Sequence, residues 1–217
     1  PQATSTQEPE PEFTTAWEKI KLMDNPLHAS CYADQAVQQR VAILENVPLA
    51  DQTYRLRFRC PSLAERVLPG QFLMLRIAGL DDPLIGRPLA LYDVINDEQG
   101  RGQDIDVVYI VKGNLTTRLA DCQTGVELDV WGPLGNGFPA SPTGRLIMVA
   151  GGIGQTPFLA LGKFQLGQQA YGSVVDTRPL SQRVTLCYGA RRAGFMGEHE
   201  LGVPSDAGGK VGWQGQR

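Results

Sequence analysis

Four short segments hold the residues best placed to do chemistry. The first is Gly86-Arg87-Pro88-Leu89-Ala90-Leu91-Tyr92-Asp93, an arginine beside a proline at the start of an apolar run. The proline ring fixes its own φ, so the chain around the Arg87 guanidinium has few conformations. A guanidinium held this way is able to grip a pyrophosphate through two parallel hydrogen bonds. The backbone of Leu89 to Leu91 then runs where a flat ring can lie, with Tyr92 stacking or packing nearby. The same residues also read as an edge strand that opens on a solvated arginine.

The second segment is Gly113-Asn114-Leu115-Thr116-Thr117-Arg118-Leu119. It follows the strand-like Val107 to Val111 and opens a short helix, for which Thr116 or Thr117 is the expected N-cap. Free N–H groups there, beside a threonine hydroxyl, suit a phosphate. An ordinary strand–helix turn has the same appearance. The third is Trp131-Gly132-Pro133-Leu134-Gly135-Asn136-Gly137-Phe138. It reads as a rigid crossover or as a close approach to a ligand. The fourth is Val149-Ala150-Gly151-Gly152-Ile153-Gly154-Gln155-Thr156-Pro157-Phe158. A buried strand runs into a glycine turn and then a helix, with Thr156 expected as N-cap and Pro157 as the first helical residue. Backbone donors at such a turn face an anion. The spacing differs from the six-residue dinucleotide fingerprint, and the lysine of a P-loop is absent.

Other catalytic chemistry is hard to assemble from this chain. His28 and His199 are isolated, and we expect no metal site. Cys31, Cys60, Cys122 and Cys187 are widely spaced, which suggests free thiols in a reducing compartment rather than a metal or redox motif. There is no nucleophile elbow and no paired-carboxylate arrangement, so we assign no catalytic side chain. A cofactor must supply the chemistry if the protein is a catalyst. The formal net charge is −3, with no basic stripe to neutralise a nucleic-acid backbone. No apolar run reaches the roughly 20 residues of a membrane-spanning helix. With a polar, acidic beginning in place of a leader, the expectation is a cytoplasmic protein.

The elements that must position these segments fall into two textures. Arg40–Glu45, Thr53–Cys60, Phe72–Ile77, Leu89–Ile95, Asp104–Val111 and Val126–Trp131 are short, often β-branched runs bounded by turn residues. Within the second, Tyr54, Leu56, Phe58 and Cys60 alternate with Arg55, Arg57 and Arg59, as in a half-buried strand. Six such strands favour a small antiparallel barrel. Beyond Gly132-Pro133, residues 139–144 read as a linker. Leu146–Ala150 and Arg183–Tyr188 then read as buried-type strands flanking helical character over Thr156–Leu166, the beginning of a parallel α/β layer. The predicted organisation is a polar, disordered or extended segment over residues 1–38, with a short helix over Thr15–Met23. A six-stranded antiparallel barrel follows over 39–140, and a short, partial α/β lobe over 141–217, which the resemblance given below implies to be flavin-binding and nucleotide-binding.

Taken in order, the four segments resemble the ferredoxin–NAD(P)H reductase superfamily. Its flavin strand carries Arg-Pro-x-Ser, matched here by Arg87-Pro88-Leu89-Ala90. Its nucleotide lobe opens with Gly-Gly-x-Gly-x-x-Pro, matched by Gly151-Gly152-Ile153-Gly154-Gln155-Thr156-Pro157. Within the superfamily the chain is most similar to electron-transfer subunits of dihydroorotate dehydrogenase. Tyr109 to Thr116 resembles their Tyr-x-Val-x-Gly-x-x-Thr segment, and Gly132 to Phe138 their Gly-Pro-Leu-Gly-x-Gly-Phe run.

The resemblance implies FAD, with Arg87 on its pyrophosphate and Pro88, Leu89 and Ala90 along the isoalloxazine. Gly113 and Thr116, with Thr117 beside them, would approach the phosphate and ribityl side. It implies NAD, or NADP, at Gly151, Gly152 and Gly154, with Thr156 capping the helix. It further implies hydride passing from NADH to the flavin, and electrons leaving through an iron–sulfur cluster to a catalytic dihydroorotate dehydrogenase subunit in pyrimidine biosynthesis. Two departures stand out. Ala90 replaces the family's serine. No cysteine-rich segment follows Cys187, so ligands for the expected cluster are not found. A stand-alone or hydrogenase-linked NAD(P)H–flavin reductase, or a non-catalytic flavin-binding module with an inactive nucleotide lobe, are the alternative readings. Arg191-Arg192 would bear on the choice between NADH and NADPH.

Overall fold

A computed structural model describes residues 36–172 and 178–189. The expected helix at Thr15–Met23, both histidines, Cys31, Arg191-Arg192 and the C-terminal tail lie outside those residues. Six strands, β1 (Val37–Ala50), β2 (Thr53–Arg59), β3 (Phe72–Ile77), β4 (Arg87–Asn96), β5 (Gly102–Ile110) and β6 (Glu127–Leu134), close an antiparallel barrel in the order β1-β2-β5-β4-β3-β6. Two short helices, α1 (Pro61–Ala64) and α2 (Asn114–Ala120), interrupt the strand sequence. The second lobe is a parallel pair, β7 (Thr143–Gly151) and β8 (Ser181–Gly189), joined through a 3-10 turn (Gly152–Gln155) and helix α3 (Phe158–Gln165).

The alternation in β2 explains the closure. Leu56, Phe58 and Cys60 point into the barrel and are almost fully buried. Arg55, Arg57 and Arg59 point outward, where Arg57 donates to both carboxylate oxygens of Asp106 at 2.7 and 2.8 Å and Arg59 to Asp104 at 2.9 Å. Those aspartates face the arginines across the β2–β5 ladder, in the register Arg57↔Asp106 and Arg59↔Asp104. Opposite charges directly across a ladder support its register. Truncating Phe58, which is fully buried in the barrel core, is expected to cost about 3–5 kcal/mol.

Strand β1 is much longer than the expected Arg40–Glu45. It serves two neighbours, pairing with β6 over Val37–Ala42 and with β2 over Ile43–Ala50, and register shifts accompany the change. Such irregularities bend a strand around a barrel corner.

The second lobe corrects two expectations. Residues 143–151 do not form a strand buried on both faces. Met148 is buried with Leu161, Val184 and Leu186, but Ile147 and Val149 are 60% and 73% exposed. Helix α3 covers one face of the pair, and the described residues place nothing over the other. Nor does Thr156 cap the helix. The glycine turn tightens into a 3-10 turn, and Thr156 already has helical angles (φ −54, ψ −40). The chain enters α3 through Pro157, and no side chain caps it. Thr156 itself is buried.

Candidate functional site

Strand β4 has two halves with different neighbours. Arg87, Pro88, Leu89 and Ala90 pair with Leu75, Met74, Leu73 and Phe72 of β3. Pairing with β5 begins only at Leu91↔Val107. The end of β5 continues along β2 instead, in the register Val108↔Arg55, Tyr109↔Tyr54 and Ile110↔Thr53. The barrel therefore parts between the first half of β4 and the end of β5. The Leu91 N–H donates to the Gln71 carbonyl at 3.0 Å. By the alternation of an antiparallel ladder, the polar groups of Ala90 and the carbonyl of Pro88 then face away from β3, into that parting. Proline has no N–H, so Pro88 adds only an acceptor.

Arg87 and Pro88 are exposed, and Leu89 and Ala90 half-buried. The side chain of Tyr92 goes elsewhere. It is 9% exposed and packs with Val108 and Leu159 in the seam between barrel and α3. Burial pushes its phenol pKa up. Tyr92 thus supports the strand from behind.

The turn after β5 closes the other side of the parting. Gly113 sits at φ +94, a conformation that a side chain would strain, and a Cβ there would meet open space. Helix α2 starts at Asn114, ahead of the expected cap at Thr116 or Thr117. Both threonines lie inside the first turn and are tied to the loop. The Lys112 N–H donates to Thr116 Oγ1 at 2.7 Å, and the two hydroxyls donate to the Gly113 carbonyl at 3.3 and 2.9 Å. Local side-chain bonding of this kind competes with capping geometry and fixes the turn instead.

In the second lobe, Gly151, Gly152 and Gly154 line a turn with open space where side chains would be, and Gly152 has φ +54. Backbone close approach is therefore available to a ligand. The buried Thr156 donates its N–H to the Ile153 carbonyl at 3.2 Å. The 3-10 turn also contacts β5, so the glycine turn lies on the barrel side of its lobe.

Sequence reasoning missed the cluster that joins the two lobes. Asp93 of β4 is buried at 4% exposure. Lys163 of α3 donates to its Oδ2, the Tyr171 hydroxyl to its Oδ1 at 2.7 Å, and the Val94 N–H to Oδ1 at 2.9 Å. Gln169 adds a bond to the Val94 carbonyl at 2.7 Å. A carboxylate inside an apolar strand was the available signal, because such a group needs partners. Phe138 bridges the lobes, with its ring 6.2 Å from that of Phe158.

Among the described residues no cluster of three or more His, Cys, Asp or Glu side chains is placed to hold a metal ion. No helix among them is long and apolar enough to cross a membrane.

A closed antiparallel barrel with a parted strand edge, followed by a parallel lobe opening on a glycine turn, is the architecture of an FAD-binding oxidoreductase. Residues 40–138 match the oxidoreductase FAD-binding domain family. It is 35% identical over 161 residues to the electron transfer subunit of dihydroorotate dehydrogenase B (NAD(+)) from Geobacillus thermodenitrificans, covering 73% of this chain and 60% of that protein. It is also 35% identical over 165 residues to the subunit of the same name from Bacillus caldolyticus, covering 75% and 62%. The chain thus spans about three-fifths of the length of these relatives. Among solved structures, the ferredoxin reductase of carbazole 1,9a-dioxygenase superposes with a TM-score of 0.61 at 20% identity, covering 81% of this chain and 50% of that one.

Proposed function

We propose that the chain is the flavin-carrying part of an electron-transfer subunit that links NAD to a dihydroorotate-oxidising catalytic subunit in pyrimidine biosynthesis. The observation that carries this reading is the parted edge of β4, opposite the Gly113 turn, in a chain 35% identical to subunits of that name. The residues fit FAD. Arg87 is an exposed cation at the mouth of the parting, unmasked backbone groups lie along it, and an open glycine turn faces it. When bound, FAD supplies the chemistry, accepting a hydride from a nicotinamide and releasing electrons singly.

The chain's own residues bind and orient. Arg87 neutralises the diphosphate, with N–H groups of the Gly113–Thr116 turn on its other side. Pro88, Leu89 and Ala90 present backbone and small side chains to the ring. Ala90 offers an N–H but no hydroxyl, so hydrogen bonding to the ring comes from main chain there. Gly151, Gly152 and Gly154 let a nicotinamide nucleotide approach the turn closely, and Thr156 braces it through its N–H. Asp93, Lys163 and Tyr171 hold this turn's lobe against the flavin strand. The compartment is the cytoplasm, where the thiols of Cys60, Cys122 and Cys187 stay reduced.

The test is an absorbance spectrum of the purified protein, followed by anaerobic NADH titration and a pull-down with the catalytic subunit. The reading expects flavin bands, bleaching by NADH, and a stable complex. A protein that gains no flavin absorbance on reconstitution contradicts it. Fast turnover of NADH with a dye and no capture of the catalytic subunit would point to a stand-alone reductase.

A further inference from the structure

The uncovered face of the β7–β8 pair carries charge at one end and apolar surface at the other. Side chains alternate along β7, so Ile147 and Val149 stand exposed on this face while Met148 packs on the α3 side with Leu161. Arg145 lies on the same face, two residues before Ile147. In the parallel register it stands directly beside Arg183 of β8, and Ile147 stands beside Thr185. Both arginines are exposed, and among the described residues neither has an acidic partner. Like charges set side by side across a ladder repel. Two adjacent cations followed by an apolar strip are complemented by carboxylates followed by apolar side chains.

One segment of this chain has that order. Glu8, Glu10 and Glu12 are followed by Phe13, Trp17 and Ile20. The last three are four and three residues apart, the spacing of one helical face. Residues 190–217 carry no such acidic run. A second copy of the same face brings no carboxylate to the two arginines. The start of β1 puts the segment within reach. Val37 pairs with Gly132, at the end of β6, from which the chain crosses to β7. The thirteen residues 24–36 span up to about 45 Å, against roughly 38 Å for the diameter of a compact body of about 150 residues.

We propose that residues 8–23 strap the open face of the second lobe. Glu8, Glu10 and Glu12 lie over Arg145 and Arg183, and Phe13, Trp17 and Ile20 lie over Ile147 and Val149. The apolar contacts take exposed aliphatic surface out of water, and the carboxylates relieve the repulsion between the two guanidiniums. The strap does not depend on which flavin or nucleotide the chain binds.

The test replaces Trp17 of the full chain with a benzophenone-bearing phenylalanine, irradiates the protein and maps the adducts by peptide mass spectrometry. Adducts are expected within residues 143–151 or 181–189 of the same chain. Arg145→Glu/Arg183→Glu should lower their yield about fivefold at low salt, the scale of losing two exposed ion pairs. Glu8→Lys/Glu10→Lys/Glu12→Lys in that background should restore the yield, whereas Arg145→Lys/Arg183→Lys should leave it near the original. Circular dichroism of the variants should match the unaltered chain, because both arginines are exposed and the α3 side of the sheet is untouched. Adducts found only elsewhere in the chain, or no adducts, overturn the proposal. So do adducts that join two copies, which would make the face a dimer contact. A yield unmoved by charge reversal also overturns it, since the acidic run would then play no part.

Discussion

The hydroxyl of Tyr171 donates to Asp93 at 2.7 Å although 78 positions separate the two residues. Tyr171 follows α3 in the second lobe, and Asp93 lies on the same strand as Arg87 and Ala90. The bond therefore sets where the glycine turn stands relative to β4. Phe164 packs edge-on against Tyr171, with ring centroids 6.3 Å apart, and completes the seam.

Breaking this cluster should loosen the lobe without emptying the barrel. Lys163→Ala leaves the Asp93 carboxylate without its cation and is expected to destabilise by roughly 3 kcal/mol. That is the low end for a buried pair, since Lys163 keeps some solvent contact. Tyr171→Phe removes a hydrogen bond to a charged group and should cost about 2 kcal/mol. Urea denaturation measures both. FAD affinity should stay near that of the unaltered chain while the rate of reduction by NADH falls.

Much of the barrel was legible in the sequence, and the reasons are local. Leu56, Phe58 and Cys60 alternate with three arginines, and period-two burial follows directly from strand geometry. The parted edge at Arg87–Ala90 was signalled only by Arg87-Pro88, because which strand pairs with which is a long-range matter. Helix starts differ from expectation at Thr116 and Thr156 because the helical backbone begins before each of them, at Asn114 and in the 3-10 turn from Gly152, which the residue types alone do not reveal. The Asp93 cluster was hidden because Lys163 and Tyr171 lie 70 and 78 residues away. The exposed face of β7, with Ile147 and Val149, shows the limit of an apolar run as a burial signal.

Gly152→Val tests the second lobe. The position has φ +54, and a Cβ placed there would find no atom within 4 Å, so the penalty is backbone strain rather than collision. A β-branched residue there should cost about 1–2 kcal/mol. Reduction by NADH should weaken and FAD should remain bound. Loss of both ligands together would instead mean general unfolding.

Acid stability should depend on Asp129. Hydrogen bonds from Arg40 and then Arg76 hold its carboxyl below the usual carboxylate range. A lowered folded-state value stabilises the protein above the unfolded-chain value of about 3.9, and that contribution is lost as pH falls through the folded-state value. Urea midpoints of the unaltered chain and Asp129→Asn should therefore differ at neutral pH and converge in strong acid, below the folded-state value. A difference that persists there would contradict the ion-pair account.

The thiols should react in a defined order. Cys187 is exposed, whereas Cys60 is buried and donates to Gln39 Oε1 at 3.1 Å. Burial pushes the Cys60 thiol up, away from the reactive thiolate. Alkylation followed by peptide mass spectrometry should find Cys187 modified well before Cys60, and Cys60 only when the barrel opens.

The most direct test of the flavin site is the dissociation constant of FAD for the unaltered chain and for Arg87→Ala. Arg87 is exposed, so its loss should leave folding intact and remove only the charged interaction with the diphosphate. The expected weakening is about 1.5–3 kcal/mol, or roughly 10- to 150-fold. Equal FAD affinity in the two proteins would contradict a pocket built on the open edge of β4.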